Sequence, residues 1–207
     1  MVPYKTPELF KRIWSKLHWQ VASAEKQVFL TFDDGPIPEL TPWVLDQLAK
    51  YDAKATFFCV GENVNRNPAI FKRILNEGHA VGNHTHNHLN GRRVPNDQYF
   101  ENIEECDLAL ERCGGKTNLF RPPYGRFRQS QLRRLSDRKV VMWSVLTKDY
   151  VMTLEPGQIL KQIIPITKSG SIIVFHDNVK AEKNLKAVLP AYLSHFSKAG
   201  YQFSALS

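Results

Sequence analysis

The sequence predicts a single α/β domain built on parallel strands, and three observations carry that prediction. Short β-branched and aromatic runs alternate with helical patterns along almost the whole chain. The run Val28-Phe29-Leu30-Thr31-Phe32 is apolar at consecutive positions, as a strand covered on both faces is, and Asp33-Asp34-Gly35-Pro36 ends it abruptly. With 207 residues, 43% of them apolar, the chain can bury one substantial core, and no repeat, linker or low-complexity stretch divides it. Alternation of this kind implies right-handed crossovers. Closure into a barrel would bury both faces of every strand, and an open doubly wound sheet is the alternative; in either, the loops after the strands share one mouth, where such folds place their chemistry.

Taken in order, residues 7–21 place Phe10, Ile13, Trp14, Leu17 and Val21 on one helical face, with Lys11, Arg12 and Lys16 away from it. The favoured reading is a helix that buries this stripe against the bottom of the domain; contact with an anionic membrane surface is the other. Residues 1–24 are thus an N-terminal amphipathic helix packed on the body formed by residues 25–207. After the strand at 28–32, Thr41-Pro42 supply an N-cap and an N1 proline for a helix to residue 50, and 55–60 is a strand ending at Gly61. Asn67-Pro68 opens a helix that Gly78 stops, 80–81 is a short strand, and 96–112 is a helix closed by Cys113-Gly114-Gly115. A brief strand at 118–120 follows, then helix 129–137, strand 140–145, helix 158–168, strand 171–175, helix 182–199 and strand 202–204, which makes seven strands.

The net charge of +8 favours acidic partners without choosing among them. Its densest part, Arg121, Arg126, Arg128, Arg133, Arg134, Arg138 and Lys139, reads mostly as a solvated helix face beside Leu132 and Leu135, so nucleic-acid binding is not expected. Cys59, Cys106 and Cys113 are odd in number and match no zinc or redox spacing, which predicts reduced thiols and a reducing compartment. The sequence carries neither a signal-peptide pattern nor a run long enough to span a bilayer, which points to the cytoplasm.

Chemistry concentrates at the predicted mouth. Two adjacent carboxylates, Asp33 and Asp34, lack a packing rationale unless a cation or a reacting proton lies between them. Beyond the third strand come His84, His86 and His88. If Asn83 caps a helical turn, His84 and His88 lie at i and i+4 on one face and His86 points elsewhere; in an extended chain all three would share a face. Two imidazoles and a carboxylate suit Zn²⁺ with a position left for water, and such an ion lowers the pKa of bound water toward about 7 and polarises a carbonyl. Hydrolysis of an acyl bond is the chemistry these parts assemble most readily.

Thr31-Phe32-Asp33-Asp34-Gly35-Pro36, His84-Thr85-x-x-His88, Arg121-Pro122-Pro123-Tyr124 and Val174-Phe175-His176 resemble, in order, the motifs of the polysaccharide deacetylases, the NodB-homology or family-four carbohydrate esterases. The likeness runs from about residue 28 to the end. It implies a distorted (β/α)₇ barrel that removes acetyl groups from N-acetylated sugars. On the same resemblance Asp34, His84 and His88 would hold one divalent ion, Zn²⁺ first and Co²⁺ or another as alternatives. Asp33 would be the general base, Arg121 would orient it, the Tyr124 N–H would help hold the oxyanion, and His176 would be the general acid. Pro123, Tyr124, Tyr150 and Val174 would meet the substrate, Val174 lining a small acetate pocket. The fourth motif departs most: where the family usually carries Asp-x-x-Asp-Trp, this chain has Leu146 for the first acid, keeps Asp149, and has Tyr150 for the tryptophan. Asp149 is expected to support Arg121 or His176.

The leading expectation is therefore a metal-dependent deacetylase of an N-acetylglucosamine-containing glycan, a substrate that would place it at the cell envelope. An amidase or esterase for small acyl compounds, suggested by Leu146 and Tyr150, and an inactive metal-containing glycan-binding domain are the alternatives.

Overall fold

The computed structural model describes residues 3–207. Its sheet follows the order β5-β4-β3-β2-β1-β7-β6, and every pair along that path is parallel. The strands are β1 (Gln27–Asp33), β2 (Ala55–Cys59), β3 (Ala80–Asn83), β4 (Leu119–Phe120), β5 (Lys139–Val140), β6 (Val145–Leu146) and β7 (Ile172–His176), while β8 (Gln202–Phe203) pairs with the start of β1. Parallel neighbours need crossovers, and helices supply most of them: α2 (Leu40–Ala49), α3 (Gly61–Arg66), α4 (Pro68–Asn76), α5 (Asn96–Arg112), α6 (Gln129–Arg134), α7 (Pro156–Ile163) and α8 (Glu182–Lys198). Every residue of β1 after Gln27 is buried, as its unbroken apolar run requires. One face packs Leu30 and Phe32 against the helices, with Phe32 stacked between Phe57 and Phe175 at 5.1 and 5.7 Å; Phe29, Phe58, Leu119, Val141 and Ile172 form a separate cluster within the curved sheet.

The structure corrects four expectations. The strand at 140–145 is two strands, because Met142 leaves the ladder to donate its N–H to His18. The helix expected to begin with a Thr41 cap starts at Leu40 behind Glu39, and the Thr41 hydroxyl instead accepts from the Ile37 N–H and donates to Asp177. The strand expected to end at Gly61 does end just before it, but Gly61 then opens a helix, α3, that was not expected before Asn67; a Cβ at Gly61 would lie 2.5 Å from the His86 ring.

The fourth correction concerns the N-terminus. Helix α1 spans only Glu8–Ile13 and buries none of its residues, so Phe10 and Ile13 are exposed rather than packed. The rest of the segment is an irregular strap. Lys5 pairs antiparallel with Val145, His18 pairs with Val141 and Gln20 with Ser171, so residues 4–20 stitch together the two ends of the sheet, which do not pair with each other. Leu17 and Trp19 are buried along it.

Candidate active site

Register brings the carboxylates and the acid together. Asp33 ends β1 and lies opposite His176, which ends β7, so both project from the same rim of the sheet. Immediately after Asp33 the chain turns: Asp34 has φ 88°, in the left-handed region, and its N–H reaches the Phe58 carbonyl at 3.2 Å. The two neighbouring acids therefore face different partners.

Asp33 is 4% exposed and belongs to Arg121, whose Nη1 donates to its Oδ1 at 2.6 Å. Arg121 is fully buried, contrary to its inclusion in a solvated cationic face. Its guanidinium also donates to the Thr31 hydroxyl and to the Val141 and Met142 carbonyls, and lies over the Phe58 ring at 4.1 Å. The second oxygen of Asp33 stays clear of this clamp, 3.9 Å from His84 Nε2.

Asp34, His84 and His88 converge: each offers a ligand atom, and the three atoms lie within 4.8 Å of one another. No helical turn achieves this. Residues 84–90 are irregular, with Thr85 and His88 at φ 63° and 54°, and the two rings stand 5.0 Å apart through loop geometry. His86 points elsewhere, toward Gly61, while its N–H and that of Asn87 are held by Asn102. His84 Nδ1 sits 2.7 Å from the Arg121 carbonyl, which can only accept, so the proton is on Nδ1 and the Nε2 lone pair faces Asp34. Burial holds His88 down to about 4, so its imidazole is neutral at physiological pH and able to ligate. Burial alone would push the Asp34 carboxyl up, but the imidazoles of His84, His176 and His88 outweigh it and hold it below the usual carboxylate range.

These residues fit a divalent cation. Asn178 donates to Asp34 Oδ2 at 2.5 Å, whereas Asp34 Oδ1 is buried with no hydrogen-bond donor, 3.1 Å from His88 Nε2. Asp33 has Arg121 and Asp149 has His176 as directly bonded counter-charge; Asp34 has no such cation bonded to it, and a divalent ion would satisfy both its charge and its orphaned oxygen.

His176 Nδ1 meets Asp149 Oδ1 at 2.8 Å, and the His176 N–H donates to Asp149 Oδ2 at 2.8 Å. Burial would lower the imidazole, but the Asp149 charge and hydrogen bond dominate and lift it to about 9, so it is a cation at neutral pH. Asp149 thus supports His176 and not Arg121. Tyr150 stands edge-on to the His176 ring at 4.8 Å, and Tyr124, 61% exposed with φ 61°, stands edge-on to His88 at 4.5 Å. Pro123 and Val174 are buried beneath them, Val174 two residues before His176 on the same face of β7.

Two supporting residues escaped the reading of the sequence, Asp177 and Asn178, although both directly follow His176. The buried Asp177 carboxylate accepts from the Gly35 N–H at 3.0 Å and the Thr41 hydroxyl at 2.6 Å, which pins the turn carrying Asp34; burial pushes it up to about 7. Their signal was adjacency to a mouth residue, in a pair that reads as an ordinary turn.

A family model described as polysaccharide deacetylase matches residues 20–143, more than half of the chain. The chain belongs to the polysaccharide deacetylase family. It is 36% identical over 193 residues to a peptidoglycan-N-acetylglucosamine deacetylase of Bacillus cereus, covering 91% of this chain and 90% of that protein. It is 32% identical over 163 residues to a chitooligosaccharide deacetylase of Azorhizobium caulinodans, covering 76% of this chain and 77% of that one. The crystal structure of the Bc1960 peptidoglycan N-acetylglucosamine deacetylase, bound to a substituted N-oxidanyl-benzamide, superposes with TM-score 0.88 at 33% identity over 95% of this chain and 94% of that one. This polysaccharide deacetylase is a hydrolase, and its half-barrel of parallel strands is the fold of those relatives.

Proposed function

We propose that this deacetylase removes acetyl groups from N-acetylglucosamine residues of a peptidoglycan-like or chitooligosaccharide glycan, using one divalent ion, Zn²⁺ by donor chemistry, held by Asp34, His84 and His88. The observation that carries the reading is the division of Asp33: Oδ1 is tied to Arg121, while Oδ2 faces the ligand cluster 3.9 Å from His84 Nε2. When bound, the ion would supply Lewis-acid polarisation and a water reactive near neutral pH. Asp33 Oδ2 would take a proton from the attacking water, and the Arg121 hydrogen bond to Oδ1 would keep that carboxylate aimed. His176, charged by Asp149, is placed to donate a proton to the departing sugar amine, which is a poor leaving group until protonated. Tyr124 takes a left-handed turn with its ring against His88, and its N–H would meet developing negative charge on the acyl oxygen. Val174 and Pro123 would bound the acetyl methyl, and Tyr150 would flank the sugar.

The test is acetate release by Asp33→Asn. That variant keeps size and hydrogen-bonding capacity but cannot accept the proton, so turnover should fall by about 10²–10⁴-fold with metal content unchanged. Undiminished release would end the assignment of Asp33. Comparing peptidoglycan fragments, chitooligosaccharides and simple acetylated compounds separates the glycan reading from a small-acyl one. The latter loses one motive, because Leu146 is 4% exposed within β6 and does not present at the rim.

A further inference from the structure

Helix α1 presents an apolar face that none of the described residues covers. Leu9, Phe10 and Ile13 share one side of Glu8–Ile13 and are 66%, 53% and 62% exposed. The remaining large exposed apolar residues, Leu108, Tyr124, Met152 and Val179, are spread over four separate segments; only α1 gathers three of them within five positions. Nor is α1 a loose end. Before it, Thr6 is hydrogen-bonded to Ser144 and Trp143; after it, Trp14 packs edge-on to Phe127 at 5.1 Å, and Leu17 and Trp19 are buried. Anchored on both sides, the helix holds its apolar face outward.

Cations flank that face along the chain. Residues 5–16 carry Lys5, Lys11, Arg12 and Lys16 against the single acid Glu8, a net charge of +3. Lys11 pairs with Glu8 at 3.0 Å, whereas Lys5, Arg12 and Lys16 are exposed and have no carboxylate partner among the described residues. An occupant must accept apolar side chains and offer negative charge beside them. A hydrated polyanion supplies only the charge. A second copy supplies an apolar face but sets one +3 segment on another. A bilayer of anionic lipids supplies both.

We propose that α1 docks this enzyme peripherally on an anionic membrane surface, with Leu9, Phe10 and Ile13 entering the headgroup–acyl boundary and Lys5, Arg12 and Lys16 against the lipid phosphates. The contact lies on the surface, and no helix among the described residues is long and apolar enough to cross a membrane. It does not depend on the reading of the active site.

Cosedimentation with vesicles tests it. The protein should partition onto vesicles of equal parts phosphatidylglycerol and phosphatidylcholine, weakly onto phosphatidylcholine alone, and less as salt rises. Leu9→Glu with Ile13→Glu should abolish binding. Arg12→Glu with Lys16→Glu, which leaves the apolar face intact, should weaken it by at least about tenfold, since each cation near such a surface is worth about a factor of five. Both pairs are exposed, so hydrolysis of a soluble acetylated oligosaccharide should be unchanged and reports an intact fold. Failure of the wild-type protein to bind anionic vesicles overturns the proposal, as does binding that neither pair alters. Concentration-dependent dimers in light scattering, abolished by Leu9→Glu without any lipid binding, would assign the face to a second copy instead.

Discussion

Replacing Asp149 by Asn should move the alkaline limb of the pH–rate profile downward by about three units while leaving the acid limb in place. The magnitude follows from geometry. Asp149 is fully buried and its Oδ1 lies 2.8 Å from His176 Nδ1, which puts the two charge centres about 4 Å apart. At an effective dielectric of about 20 that attraction is worth about 4 kcal/mol, or roughly three pKa units at about 1.4 kcal/mol per unit. His176 stands at about 9 because Asp149 outweighs burial; with the charge removed, burial remains and favours the neutral ring. The acid is active when protonated, so lowering its pKa removes activity from the alkaline side. At pH 8 the protonated fraction should fall about 100-fold, whereas near pH 5 the variant should come within about twofold of the wild type. Asparagine has the same size and can keep its oxygen toward His176 Nδ1, at the loss of the acceptor for the His176 N–H, and a bound cation acts on wild type and variant alike, so a shift of the limb reports the lost charge while an equal loss at every pH reports the lost hydrogen bond. The assay is kcat/KM for acetate release across pH on one soluble substrate, with both proteins metal-loaded. An unmoved alkaline limb, or an equal loss at every pH, would refute the idea that Asp149 acts by keeping His176 charged.

Three further outcomes probe the ligands and the frame that holds them. His88→Ala should lower divalent-ion affinity by at least about 100-fold in a titration of the metal-free protein, and full retention would remove His88 from the ligand set. Arg121→Met should leave Asp33 as a buried charge without its partner and cost about 3–5 kcal/mol in urea unfolding; a loss under about 1 kcal/mol would show that Asp33 can be accommodated alone. Gly35→Ala would set a Cβ 1.9 Å from Asp177 Oδ2, and the required shift of the turn should cost about 1–3 kcal/mol and weaken metal binding, whereas wild-type metal affinity would mean that Asp177 does not set the position of Asp34.

Elements whose boundaries are local were legible, and those set by distant contacts were not. Helix α5 runs from Asn96 to Arg112 as read, because an extended Pro95 precedes it and the chain leaves it through Cys113-Gly114-Gly115. β1 was legible because burial on both faces leaves an unbroken apolar run. Residues 140–145 read as one strand, yet the chain breaks there. The Val141 and Met142 carbonyls are drawn to the Arg121 guanidinium and the Met142 N–H to His18, partners 20 or more residues away that no local pattern announces. Gly61 was read correctly as the end of a strand, but the helix that it opens and its close approach to His86 and Cys106 were not legible. For the site, residue types were legible and geometry was not. Two imidazoles and a carboxylate reach one point, but through left-handed turns at Asp34 and His88 rather than a helical face.

The departure in the fourth motif becomes intelligible once the charges are placed. Arg121 brings one positive charge into a fully buried position, and Asp33 balances it; three further donors go to Thr31 and to two backbone carbonyls. Position 146, where the family usually carries an acid, is leucine here, and the two cationic groups beside the paired acids are already matched, Arg121 by Asp33 and His176 by Asp149. Leu146 instead packs at 4% exposure in register with Val174, and its N–H is taken by Tyr4 of the N-terminal strap. Asp33 and His176 each have one directly bonded counter-charge, and Asp34 is the carboxylate of the mouth that has none.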